Sequence, residues 1–281
     1  MTVPAHVHPR EPRHDDLYEV VVVRHGTREG RRSEVFLNYA QYGEPDGRFV
    51  VDYYLWVLRS RTRTVLVDTG FARGPAEARG RQVLVEPAEA YRRIGVDTDA
   101  ELAIVVTHAH YDHIGNVDLF PRATVVVSAA EIDFWSTPVS RKPLIGHFTE
   151  TDEVATLTRV EAEGRLRRFS GTIEAAPGVL VTEVGGHTPG QSMVTVPTSA
   201  GTVLLTSDAV HFSEELERDM PFVAVTDLPD MYRGLQAVRD LVAAGEVDHV
   251  VTGHTPGVLD DLEPWNDELA GVAGVIGRLC R

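Results

Sequence analysis

Cysteine is almost missing from this chain: the only one, Cys280, is the penultimate of 281 residues. One thiol cannot close an internal disulfide, so nothing points to an oxidising compartment. A nucleophilic thiol at a chain terminus would also be poorly positioned. Basic charge is short as well, with 27 Lys and Arg against 42 Asp and Glu and a formal net charge of −15. That argues against a face able to neutralise a phosphate backbone, so no nucleic-acid partner is expected. The arginines within residues 24–32 and 165–168 are flanked by acids and read as solvated surface. No apolar run reaches the roughly 18 residues of a membrane span, and no membrane association is expected. Residues 1–16 carry Pro, His and Arg without an apolar core, which predicts a loosely ordered arm and not a signal peptide. A soluble, cytoplasmic protein is the expectation.

What is present is ordinary for a soluble enzyme: 43% hydrophobic and 25% charged residues. Residues 17–281 are long enough for a substantial core and near the upper limit for one domain. Short β-rich runs separated by turn residues occupy 18–23, 50–58 and 64–67, the last leading into Asp68-Thr69-Gly70, where glycine permits a sharp exit. Residues 86–95 predict a helix with Pro87 in its first turn and Gly95 near its C-cap. Apolar strands follow at 102–106 and 123–127, then a helix over 128–135. Residues 136–170 are less regular and read as an insertion or lid. Four more strands fall at 179–184, 193–196, 203–206 and 249–252. Between the last two, Met231, Leu235, Val238 and Val242 share one face of a helix that Asp230 would cap and Gly245 would end. A final helix is expected over 267–279. Two strand-rich halves with helices outside predict an α/β architecture of two sheets packed face to face between helix layers.

The chemistry sits where apolar runs end. His108, His110, Asp112 and His113 follow the strand at 102–106, His187 follows 179–184, Asp208 follows 203–206 and His254 follows 249–252. Strands ending in His or Asp at a common edge would place these groups in one cleft. Imidazole nitrogen and carboxylate oxygen suit zinc and neighbouring transition metals. His108 and His110 are two apart, so in extended chain both project to one side, while Gly115 can reverse the chain after the next turn. For a lone histidine a hydrogen-bonded polar residue is the better reading. Four candidate ligands in six residues favour metal. His187 and His254 each sit in Gly-His-Thr-Pro-Gly (186–190 and 253–257), a tight loop able to present an imidazole, although glycine and proline also mark simple turns.

The segments THAHYDHIGN (107–116), GGHTPGQS (185–192), Asp208 in TSDA, Gly253-His254 and Asp68 in VDTG resemble, in order and spacing, the successive motifs of metallo-β-lactamase-fold hydrolases. The likeness spans about residues 50–260. It implies an αββα sandwich with two divalent metal ions at one edge, zinc first, with manganese, iron or cobalt as substitutes. Carried over by position, His108, His110 and His187 would hold one ion, Asp112, His113 and His254 the other, and Asp208 would bridge them. Asp68 would orient the ligand loop. Paired metals can share a water and lower its pKa, giving a hydroxide that attacks a carbonyl without a nucleophilic side chain. Asp112 could pass a proton to the leaving group.

The best match is to the N-acyl homoserine lactonase-like branch, on the spacing of His113, His187 and Asp208 and on residues 31–42 and 214–229. Opening of an N-acyl homoserine lactone or related small lactone is the implied reaction. In one place the chain departs: lactonases of this kind carry a tyrosine three positions after the bridging aspartate, and here that residue is His211, which could still donate a hydrogen bond or proton. Phe36, Tyr39, Phe148, Phe212, Met220 and Phe222 are candidates for an apolar substrate pocket. The rival enzyme reading is a thioesterase of the hydroxyacylglutathione type, against which the segment after 254 is short. A non-catalytic metal-binding sensor is the alternative of a different class. Monomer and homodimer are both compatible with the sequence.

Overall fold

The computed structural model describes residues 16–279, so the expected arm, save Asp16, and Cys280 lie outside the described residues. Among the described residues fourteen strands form two sheets. In chain order they are β1 (Glu19–Arg31), β2 (Arg48–Arg59), β3 (Thr64–Val67), β4 (Gln82–Val83), β5 (Ala103–Val105), β6 (Thr124–Ser128) and β7 (Leu166–Phe169). They continue with β8 (Thr172–Ala176), β9 (Val179–Glu183), β10 (Ser192–Thr198), β11 (Gly201–Ser207), β12 (His249–Thr252), β13 (Glu263–Pro264) and β14 (Ala273–Ile276). The larger sheet runs β13-β14-β1-β2-β3-β5-β6-β7 with β4 paired to β1, and the smaller runs β12-β11-β10-β9-β8. Seven α-helices flank them: α1 (Arg73–Ala78), α2 (Pro87–Ile94), α3 (Tyr111–Ile114), α4 (Ala129–Trp135), α5 (Thr151–Ala162), α6 (Ser213–Arg218) and α7 (Leu228–Ala243).

The four consecutive valines 20–23 show why this is a sandwich. Val20 and Val22 face inward with Trp56, Leu58, Val194 and Val196 in the core between the sheets. Val21 and Val23 face outward with Leu55, Tyr91, Ile94 and Leu157, beneath α2 and α5. A strand buried on both faces cannot alternate with polar residues, so it reads as a continuous apolar run. Each such side chain contributes about 1.5–3 kcal/mol by leaving water. On the far side, Leu235 and Val238 of α7 close over Met193 and Leu204 of the smaller sheet.

Strand direction then gathers the ligands. β3, β5, β6 and β7 are mutually parallel, as are β11 and β12. β9 and β11 both run antiparallel to β10 and so share a direction. The segments that leave the C-terminal ends of these strands carry Asp68, residues 107–113, His187, Asp208 and His254. Ligand sites in α/β sheets lie outside the carboxyl ends of strands for the same reason.

Several expectations need correction. The helix at 228–243 is capped by Asp227, whose carboxylate accepts from the Asp230 amide at 3.0 Å. Val242 is 50% exposed, outside the buried stripe. No terminal helix forms over 267–279: glycines 271, 274 and 277 interrupt it, and Gly271 and Gly277 take positive φ. Instead a 3-10 turn, Asp267–Leu269, leads into β14, which pairs with β1. Residues 151–169 are no lid, since Leu157 and Val160 of α5 are buried and β7 extends the larger sheet. The arginines within 24–32 lie on or just after β1. Arg28 lines a pocket, and Arg32 pairs with Glu214 and stands over Phe36, so that run is not simply solvated surface.

Candidate metal centre

The His108–His113 run begins where β5 ends. His110 is the N-cap of α3, a single turn that carries Asp112 and His113. Beneath it, Asp68 is held at φ 57 after β3. Its carboxylate accepts from the Thr107 amide (2.8 Å), the Thr107 hydroxyl (2.8 Å) and His113 Nδ1 (2.7 Å). One carboxylate therefore sets both the course of the loop and the ring of His113. Outer partners of this kind fix the tautomer and leave the other ring nitrogen free for a metal. His187 Nδ1 is held by the Ala224 carbonyl at 2.8 Å and His254 Nδ1 by the Asp52 carbonyl at 2.7 Å, so each presents Nε2 inward.

Seven side chains converge. His108, His110, His187 and Asp208 form one group and Asp112, His113 and His254 another, the ligand atoms within each lying no more than 4.8 Å apart. Asp208 stands between them. Its Oδ2 lies 3.3 Å from His187 Nε2 and 3.7 Å from His108 Nε2, and its Oδ1 lies 3.4 Å from His113 Nε2 and 3.3 Å from His254 Nε2. All seven residues are buried. His108 Nε2, His113 Nε2 and Asp208 Oδ1 are nonetheless without a hydrogen-bond partner, an arrangement that water or protein would normally satisfy. Orphaned nitrogen and oxygen donors aimed at one space fit a pair of divalent cations.

Electrostatics fit the first group, while in the second burial is overcome by Asp208, Asp68 and Asp112, which raise the His113 pKa well above its usual value. Burial lowers the pKa values of His108 and His187, aided by neighbouring imidazoles, and burial brings His110 to about 4, so these rings keep their lone pairs. Burial alone would raise Asp208, but His254, His211 and His113 overcome it and hold the carboxyl well below its usual range.

His211 joins the cluster from the strand-to-helix turn after Asp208. Its Nε2 is 3.1 Å from Asp208 Oδ2 and its ring stacks on Phe222 at 4.0 Å. Burial opposes its protonation, yet Asp208 and Glu215 push its pKa up to about 9. Glu215, fully buried, accepts from the amides of His211, Phe212 (3.0 Å) and Phe222 (2.7 Å).

Of the pocket candidates, Phe148 and Phe222 line the cavity over the metal groups. Phe36, Tyr39, Phe212 and Met220 form the apolar cluster behind it. Sequence reasoning missed Arg28, Glu34, Tyr53, Arg81 and Tyr111 in the wall. Only Tyr53 carried a signal, as part of the polar interruption Asp52-Tyr53-Tyr54 in an apolar strand.

Gly115 serves for a reason other than chain reversal. Its φ of −63° is open to any residue, but a Cβ there would lie 2.5 Å from the Ala72 nitrogen and 2.9 Å from the Gly70 oxygen. Gly115→Ala is expected to push α3 off residues 70–72 and cost about 1–3 kcal/mol, the usual range for overpacking. Weaker metal binding should accompany it. Urea denaturation with metal titration checks this, and wild-type values for both would contradict it.

The model of the metallo-beta-lactamase superfamily matches residues 48–254, more than half of the chain. The chain belongs to that superfamily. Among its relatives is an N-acyl homoserine lactonase of Bacillus sp, 28% identical over 190 residues, covering 62% of this chain and 70% of the relative. A second, from Bacillus thuringiensis subsp. kurstaki, is 26% identical over 184 residues, 60% and 68% of the two chains. Solved structures agree in fold. An N-acyl homoserine lactone hydrolase with product at its catalytic metal centre superposes with a TM-score of 0.72 at 18% identity, over 89% of this chain and 97% of that one. The dizinc quorum-quenching lactonase AidC gives 0.68 at 18%, over 95% and 100%. The relatives named here are lactonases by their own names.

Proposed function

We propose that this protein hydrolyses a lactone, an N-acyl homoserine lactone or a related small ring, at a centre of two divalent cations, zinc foremost. The observation that carries the reading is the Asp208 carboxylate, which lines a pocket and lies between the two buried histidine groups, Oδ2 3.3 Å from His187 Nε2, Oδ1 3.4 Å from His113 Nε2 and both oxygens 3.3 Å from His254 Nε2. His108, His110 and His187 would hold one cation, Asp112, His113 and His254 the other, with Asp208 shared. When bound, the cations supply Lewis acidity and an activated water.

The chain's own residues do the rest. Phe148 and Phe222 keep water from the apolar part of the substrate. Hydrolysis adds water across the acyl C–O bond, so the alcohol oxygen must gain a proton. His211, held by Glu215 and lying 3.1 Å from Asp208, is the donor on one side, and Asp112 is the carboxyl on the other. His211 thus takes the place of the tyrosine that lactonases of this kind carry. The thioesterase reading gains nothing, since residues 263–276 return to the larger sheet as strands and not as a helical substrate domain. A cytoplasmic enzyme acting on a diffusible small molecule is the setting this reading implies.

Two measurements test it. Elemental analysis should find about two metal equivalents per chain. A panel of acyl homoserine lactones, γ- and δ-lactones and glutathione thioesters should show turnover of lactones. Protein that takes up no zinc, manganese or cobalt, or a panel in which only thioesters react, would refute the proposal.

A further inference from the structure

The pocket wall holds a cation that the metal chemistry does not use. Two arginines, Arg28 and Arg81, line the cavity beside Glu34, Asp112 and Asp208. Arg28 is answered in place by Glu34 at 2.6 Å. Arg81 is half-buried, and its guanidinium meets only neutral partners. Nε donates to the Tyr111 hydroxyl at 3.0 Å, Nη1 donates to the Arg79 carbonyl at 2.7 Å, and the Tyr53 ring lies 5.8 Å away. Among the described residues no carboxylate stands within ion-pair distance of it, and Nη2 has no protein acceptor. The acid whose charge it feels is Asp112, whose carboxylate belongs to the second ligand group.

An arginine withdrawn from water normally has a carboxylate to compensate the cost. This one is also pre-aimed, because two of its three nitrogens are already fixed and the planar fork cannot turn away. Divalent cations at both groups would outweigh Asp112 and Asp208. The cavity would then be positive within a chain of net charge −15. A local field of that sign, set in a surface of the other, favours an anion in the pocket over one elsewhere.

We propose that Arg81 binds a carboxylate carried by the substrate, so that the ring opened at this centre is an anionic lactone. The assignment rests on the lactonase reading and names its substrate class. The guanidinium receives the carboxylate through Nη2, while Val35, Val51, Phe148 and Phe222 enclose the apolar part of the molecule. The neutral amide carbonyl of an acyl homoserine lactone is a weaker acceptor for the same nitrogen, because hydrogen bonds to charged groups are about twice as strong.

A matched pair of substrates tests this: a γ-butyrolactone bearing a ring carboxylate, and the methyl ester of the same compound. With metal-loaded wild-type protein, kcat/KM for the acid should exceed that for the ester by about tenfold or more. In Arg81→Met the acid-to-ester ratio should fall by the same factor through a rise in KM for the acid, and Arg81→Lys should keep part of the preference. Added salt should erode the wild-type preference and leave that of Arg81→Met unmoved. Metal content is measured on each variant, and two equivalents are expected. A wild type indifferent to the charge, or an Arg81→Met variant that loses both substrates equally or sheds metal, overturns the Arg81 assignment alone. Turnover of neither lactone by the wild type overturns this assignment, and the lactonase reading falls with it when the wider lactone panel is also left unopened.

Discussion

Asp208→Ala should lower turnover by more than about 100-fold, beyond the usual cost of losing an outer partner of a metal ligand. Far-UV circular dichroism should remain that of the wild type. The reason is position. Asp208 is the one carboxylate within 4 Å of five histidine rings among the described residues: His108, His113, His187, His211 and His254. On the proposed assignment its loss would leave one cation with histidine ligands alone and the other with His113, His254 and Asp112, and no residue shared between them. Asp208→Asn keeps the shape and removes the charge, so it should fail almost as badly. Metal analysis of both variants should show fewer than two equivalents. Full activity in either variant would show that Asp208 is not shared between the cations.

Glu131→Ala is expected to be the most destabilising single change near the site. Its buried carboxylate accepts from the Ala109 amide (2.8 Å), the Gly190 amide (2.9 Å) and the Trp135 indole nitrogen (2.7 Å). Ala109 lies between His108 and His110, and Gly190 closes the loop that carries His187, so one side chain joins the two loops serving the first group. Each donor left unsatisfied in the interior costs about 1–3 kcal/mol, and a combined loss of at least about 3 kcal/mol is expected. Guanidinium denaturation should register it, and metal affinity should fall with it. Glu131→Gln keeps an acceptor oxygen and should recover part of the loss. An alanine variant with wild-type stability would show that water takes over the three donors.

Much of this is legible in the sequence, for physical reasons. A strand buried on both faces must be apolar throughout, so residues 20–23 and 64–67 announced themselves. Ligands at strand ends cluster because parallel strands finish at one edge, and all seven proposed ligands stood in such places. Asp68 as an orienting residue came from the resemblance of VDTG to the family's early motif. What escaped were interactions that depend on the partner's position. Glu131 follows Ser128 by three residues, the pattern of a helix-start capping box, and its carboxylate instead crosses to two other loops. Arg81 lies just before a two-residue strand, and nothing nearby in sequence tells that it borders a cavity. The strand at 273–276 was hidden because pairing with β1 supplies its stability, while Gly274 within it and Gly271 and Gly277 beside it obscure any period.

His108 and His254 stand on opposite sheets, on segments far apart in the chain. Cations drawing ligands from both would tie one half of the sandwich to the other across a long loop, shrinking the entropy of the unfolded chain. Their binding free energy would then be folding free energy. For this protein, the metal supply of the cell would set how much of the chain stays folded as well as how fast it works.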